Sequence, residues 1–342
     1  GAGECLDILS EMRTKGVKAD SRTYLGVLQV LSYDAHHKGD IAVTQTRDIQ
    51  KLMTAGGIKA DLRIWMAVLR VFVESVAAPG GEKMMVECNR VLDRMREAGV
   101  KPTRDTFHLL LRGYMLSVSK GGVAVSHFQR CLTLIERMRR EGAAPTIATY
   151  DMLLAVAGRA KISRGWQRKD KALNNGLKVF DLLAEAKLKP CLSTFEALIL
   201  CARSSEAVEL VFKMMDSEEI KKSEAMYERA ILSLKNNAGS VQSALVTGLL
   251  ERAEAESCLS SRVYSAALAV FFTAGDPDSG LALVKKLTSQ NSRHLSPHIY
   301  SLALKMCAKY ELEDEVKALA QHARGGVHLN SFLERQLVAL GQ

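Results

Sequence analysis

The chain has 342 residues, 47% of them hydrophobic and 25% charged, a balance that excludes a disordered or fibrous protein. Aromatics are only 6%, which disfavours a sheet-rich architecture, and no apolar run approaches the roughly 18 residues of a membrane helix. The net charge of +9 permits contact with phosphate without establishing it.

The chain opens at Gly1 inside a helical pattern (Cys5 to Leu9), so a preceding segment is expected, and a targeting peptide could belong to it. A short block then recurs: Gly16-Val17-Lys18-Ala19-Asp20, Gly57-Ile58-Lys59-Ala60-Asp61, Gly99-Val100-Lys101-Pro102-Thr103, Gly142-Ala143-Ala144-Pro145-Thr146 and Leu188-Lys189-Pro190-Cys191. Gly caps a helix and Pro cannot continue one, so each block closes one helix and starts the next. The blocks end at 20, 61, 103, 146 and 191, a spacing of 41 to 45 residues.

Four residues after each block, an aromatic leads an apolar stripe at helical spacing. The stripes are Tyr24-Val27-Leu28-Leu31, Trp65-Val68-Leu69-Phe72, Phe107-Leu110-Leu111-Tyr114 and Tyr150-Leu153-Leu154-Ala157. They continue as Phe195-Leu198-Ile199-Ala202, Tyr227-Ala230-Ile231-Leu234, Tyr264-Ala267-Leu268-Phe271 and Tyr300-Ala303-Leu304-Cys307. Second stripes follow at Val91-Leu92-Met95, Leu134-Ile135-Met138, Val179-Phe180-Leu183, Val211-Phe212-Met215 and Leu283-Val284-Leu287. Each unit is therefore an antiparallel pair, helix A then helix B. One pair cannot hide its own apolar faces, whereas stacked pairs can. The fold class is all-α, a right-handed superhelical α-solenoid of about eight to nine repeats. The expected repeats are a partial one over 1–20, then 21–61, 62–103, 104–146, 147–191, 192–223, 224–260, 261–296, 297–330 and a partial one over 331–342. A single domain is expected, with a soft change near residue 191. Extra length between helices A and B is expected at Ala77 to Gly81, Lys120 to Gly122 and Gly158 to Gly176, projecting from one edge.

The units resemble pentatricopeptide repeats, with the pattern V-T-Y-N-x-L-I, a turn, A-x-x-L-F-x-x-M and a G-x-x-P-D ending. The matches are Arg104 to Leu110 with Leu132 to Met138, Ile147 to Leu153, and Leu6 to Met12. The resemblance covers nearly the whole chain. It implies that one repeat reads one RNA base through two side chains, one after the helix A aromatic and one ending the repeat. Carried over, the pairs are Leu25 with Asp61, Met66 with Thr103, His108 with Thr146, Asp151 with Cys191, Glu196 with Ser223, Glu228 with Ser260, Ser265 with Ser296, and Ser301 with Asn330. Only the last two pairs have two short polar side chains suited to a base edge. Leu25 and Met66 cannot hydrogen-bond a base, and Asp151, Glu196 and Glu228 repel phosphate. The repeat-ending residues also suit helix N-caps. Sequence-specific reading is therefore not expected.

The most basic stretch is Arg159, Lys161, Arg164, Arg168, Lys169 and Lys171 around Trp166, cations for phosphate and a ring for stacking. Arg139-Arg140 and Lys221-Lys222 read as solvated helix ends. His36-His37 reads as a solvated turn. The seven cysteines are odd in number and lack C-x-x-C, so they read as buried free thiols in a reducing compartment. No nucleotide loop, zinc-protease motif or deaminase signature is present in the sequence, so no enzyme, cofactor, metal or small-molecule substrate is expected. Habit in the family implies a scaffold subunit of a large organellar ribonucleoprotein, the mitochondrial ribosome first, contacting rRNA backbone and neighbouring proteins. The alternative is a free organellar RNA-binding factor, and a plastid is the alternative location.

Overall fold

The computed structural model describes residues 1–79, 81–120, 124–159, 169–236, 240–289, 294–326, 334–335 and 337–338. Among them the structure is all-α, with no strand. It divides into two units, Gly1–Lys189 and Pro190–Gln342.

The first unit holds α1 (Ala2–Thr14), α2 (Ser21–Ala55), α3 (Leu62–Ser75), α4 (Met84–Glu97), α5 (Arg104–Lys120), α6 (Ala124–Arg140), α7 (Ile147–Gly158) and α8 (Lys169–Glu185). α2 is two helices bent at Gly39, whose φ is 22° and ψ −97°, so it supplies both members of one hairpin. The second unit holds α9 (Leu192–Leu198), α10 (Ser205–Ser217), α11 (Glu224–Ser233), α12 (Ser240–Ala255), α13 (Ser261–Ala274), α14 (Pro277–Ser289), α15 (Pro297–Lys309) and α16 (Glu313–Gly326). Within each unit hairpins stack side by side: α3 packs on α5 and α5 on α7, and α11 packs on α13 and α13 on α15. This is an α-solenoid. All eight helix A stripes are buried, and Tyr150, Tyr227, Tyr300, Phe107 and Phe195 are among the largest fully hidden side chains. The aromatics therefore form the core.

The recurring blocks close each hairpin with one device. Gly16, Gly57, Gly99 and Gly142 take left-handed φ of 70° to 76°. The next N–H reaches back a full turn: Val17 to Met12, Ile58 to Met53, Val100 to Met95 and Ala143 to Met138, at 2.8 to 3.0 Å. This is the Schellman cap, with an apolar residue on each side of the bond. Where the Gly signal fades, the turn persists: Lys187, Glu219 and Ser257 take φ of 56°, 54° and 56°. Leu188, Ile220 and Cys258 donate to Leu183, Met215 and Ala253.

Of the extra length expected between helices A and B, Ala77, Ala78 and Pro79 do lie in a turn between α3 and α4, while residues 121–123 and 160–168 lie outside the described residues. Two expectations are corrected here. α8 begins at Lys169, so Asn174, Asn175 and Gly176 lie in a helix, where burial of Ala172 and Val179 overrides their turn propensity. His36 and His37 are helical, and His36 Nε2 sits 3.0 Å from the buried Glu74, which also pairs with Arg112 at 2.8 Å. No helix among the described residues is long and apolar enough to cross a membrane.

Candidate nucleic-acid interface

The turn from each helix B into the next helix A sets the candidate residues. Helix A starts on a side-chain cap. Asp20 accepts from Thr23 N–H at 2.8 Å, Asp61 from Ile64 at 3.0 Å, Ser223 from Met226 at 3.2 Å, Ser260 from Val263 at 3.5 Å and Ser296 from Ile299 at 3.4 Å. The Ile64 N–H, aided by Arg63, holds the Asp61 carboxyl below the usual range. At Thr103, Thr146 and Cys191 the cap runs the other way: the buried hydroxyls of Thr106, Thr149 and Thr194 accept from the backbone N–H of these residues at 3.1, 3.0 and 3.3 Å. The repeat-ending residues are thus committed to starting helices.

Three of the residues that follow a helix A aromatic, Met66, His108 and Glu196, are committed as well. Thr106 donates to Met66 Sδ at 3.2 Å and lies 3.3 Å from Thr103. His108 Nε2 lies 2.8 Å from Thr149 Oγ1, itself 3.3 Å from Thr146. Burial pulls the His108 pKa down. Ser223 donates to Glu196 at 2.9 Å, and Arg229 reaches the Glu196 carboxylate at 3.1 Å and its carbonyl at 2.9 Å. In these three pairs the two members are therefore brought together, through a buried Thr at Met66 and His108 and directly at Glu196. Arg229 also offsets a negative charge that the sequence alone leaves bare. Asp151 and Glu228 are half-buried.

Ser265 is half-buried and donates to Ser261 carbonyl at 2.6 Å, and Ser301 is only 3% exposed, so its hydroxyl is inside the unit. Asn330 lies outside the described residues. So do Lys161, Arg164, Trp166 and Arg168; Lys169 opens α8, and Arg159 and Lys171 are exposed. Arg139 donates to Tyr150 Oη at 2.8 Å, and Arg140 is exposed. Lys222 is not a solvated helix end: its side chain is 6% exposed and pairs with Asp216 and with Glu256 at 3.4 Å.

The structure adds a feature that the sequence reading missed. Five of the turns carry an exposed lysine, at Lys18, Lys59, Lys101, Lys189 and Lys221, and none of these forms an ion pair among the described residues. The signal lay in the recurring blocks, where lysine sits two residues before the cap in all but Gly142–Thr146. In the first unit Lys18, Lys59 and Lys101 start successive stacked hairpins, which places them along one edge. Among the described residues no group of His, Cys, Asp and Glu could hold a metal ion.

Residues 48–115 match the family model described as the pentatricopeptide repeat domain. No curated protein matches the chain. Among solved structures it is similar to the pentatricopeptide repeat protein PPR10 from maize, at 15% identity and TM-score 0.54, over 99% of this chain and 49% of that one. The same protein in complex with an 18-nt psaJ RNA element aligns at 16% identity and TM-score 0.47, over the same shares. The PPR domain of Arabidopsis thaliana protein-only RNase P 1, in complex with tRNA, aligns at 16% identity and TM-score 0.32, over 68% of this chain and 97% of that one. The chain spans about half the length of the maize protein, and at this identity that likeness is one of fold.

Proposed function

We propose that this chain, whose residues 48–115 match the pentatricopeptide repeat domain, is a pentatricopeptide repeat protein that binds RNA through the phosphate backbone and does not read its bases. In this reading it is a non-catalytic scaffold subunit of a large organellar ribonucleoprotein, the mitochondrial ribosome first, with rRNA and neighbouring proteins as partners. The observation that carries the reading is the closure of the base-reading pairs onto themselves: Met66 with Thr106, His108 with Thr149, and Glu196 with Ser223 and Arg229. A base would have to break these bonds to be read, at a cost of about 1 kcal/mol for each neutral one. Phosphate contact needs no such opening. The unpaired turn lysines and the excess of nine positive charges supply it.

Salt dependence tests the backbone claim. The affinity for a 20-nucleotide oligouridylate is measured across salt, with Lys18, Lys101 and Lys189 changed together to Glu. Each lost phosphate contact on a single strand lowers the log–log slope by about 0.7, so about 2 is expected for three. An unchanged slope would refute these contacts. Co-sedimentation with ribosomal particles tests the scaffold role, and a protein found only in free fractions would contradict it.

A further inference from the structure

We infer that a cavity in the first unit, between the C-terminal half of α2 and the facing ends of α3 and α4, is a docking site for an acidic, aliphatic peptide segment of a partner protein. The cavity measures about 1130 Å³. That exceeds the roughly 300–1,000 Å³ of small-molecule sites and suits several side chains of a peptide.

Its floor is apolar, built from Met53, Ile58, Ile64 and Trp65. Its polar lining is one-signed: Arg47, Lys51, Lys59 and Arg94 contribute, and no Asp or Glu does. Arg47 is offset by Glu87 at 3.0 Å and Lys51 by Asp48 at 2.9 Å. Lys59 and Arg94 form no ion pair among the described residues, and both are exposed. A carboxylate bound against them would gain two charge-assisted contacts.

Trp65 supplies the second observation. Its side chain is only 8% exposed, yet its indole Nε1 has no hydrogen-bond partner. A buried N–H without an acceptor costs about 1–3 kcal/mol, and Trp normally finds one. The Nε1 atom is closed to solvent, so a peptide carbonyl or carboxylate in the cavity satisfies it once the indole turns toward the opening. RNA fits less well. Base stacking needs an open ring face, and Trp65, the one aromatic residue in the lining, is too deeply buried to offer one.

Lys59 is shared with the turn lysines, but the site involves none of the base-reading pairs, and its test changes neither Lys59 nor Lys18, Lys101 and Lys189, so its failure is distinguishable from that of the RNA proposal. A phage-displayed library of random 12-residue peptides is selected on the full chain and counter-selected on Lys51→Glu/Arg94→Glu, two exposed cations. The expected winners carry Asp or Glu beside Leu, Ile or Phe. A synthetic copy should shift the emission of Trp65 in a Trp166→Phe background, which leaves Trp65 as the one tryptophan. It should bind the double variant at least tenfold more weakly. If that variant melts early, Ala98→Phe, which adds bulk at the exposed wall without removing a cation, should give the same loss. The inference is overturned by no enrichment, by winners without acidic residues, or by equal binding to the variants. A 12-nucleotide oligouridylate that shifts Trp65 emission and loses it on Lys51→Glu/Arg94→Glu would also overturn it, by giving the cavity to RNA.

Discussion

Replacing Gly39 by Ala should unsettle the first unit far more than the same change at Gly26. Both glycines lie within α2, and sequence propensity treats them alike. At Gly39 the backbone has φ 22° and ψ −97°, and a Cβ would stand 2.9 Å from Ala78 Cβ. Holding a non-glycine residue there costs about 1–3 kcal/mol. Alanine also favours the straight helix that would undo the hairpin, by about 1 kcal/mol over glycine. The sum is about 2–4 kcal/mol. In a unit of about this size each kcal/mol moves the midpoint by about 2–4 °C, so a fall of roughly 5–15 °C is expected. Gly26 is exposed and helical, and nothing lies within 4 Å of its Cβ position. Gly26→Ala should therefore raise stability by about 0.5–1 kcal/mol. Thermal melts followed by circular dichroism at 222 nm, with urea titration as a check, read both variants. Equal shifts, or a neutral Gly39→Ala, would refute the bent-hairpin geometry.

Other outcomes follow from the same contacts. Ser257→Gly and Glu219→Gly should each stabilise by about 0.5 kcal/mol, because left-handed backbone costs other residues more than it costs glycine; urea midpoints check this. Thr149→Val keeps the buried shape but removes the acceptor for the Thr146 N–H and the partner of His108, so a loss of about 2 kcal/mol is expected by urea unfolding. Burial lowers the His108 pKa from its ordinary 6.5, so the unfolded chain binds this proton first. The stability it contributes is whole above that pH and is lost as pH falls below it through the folded value, and His108→Gln should flatten that part of the pH profile. Iodoacetamide followed by peptide mapping should label Cys191 ahead of Cys201 and Cys307. Burial pushes Cys191 up, but hydrogen bonds from Ser193 and Thr194 outweigh it and leave the exposed thiol below its usual value. Burial raises Cys201 to about 12 and Cys307 to about 11.

The stripes and blocks made the hairpins legible, because burial every third or fourth residue and a Gly stop are local rules. The eight aromatics, from Tyr24 to Tyr300, are all core for that reason. Left-handed turns at Lys187, Glu219 and Ser257 carry no residue signal, since the Schellman bond and its apolar flanks hold them. Helix length was misread at Asn174 to Gly176, where tertiary burial decided the matter. The candidate site was half legible. Its positions could be counted along the chain, and the caps could be read from Asp20, Asp61, Ser223, Ser260 and Ser296. The partners of Met66, His108 and Glu196 lie on the next hairpin, some 27 to 41 residues away, and spacing does not reveal contact at that distance. Lys222 shows the same limit, being paired with Glu256 34 residues away.

Selection of a random RNA pool on the full chain, followed by sequencing of the bound fraction, bears most directly on the closed base-reading pairs. Bound RNA with no preferred sequence and an affinity that falls steeply with salt is the predicted result. One enriched motif of six or more nucleotides, shifted by changes at Met66, His108 or Glu196, would show that these side chains open to bases and would contradict the account.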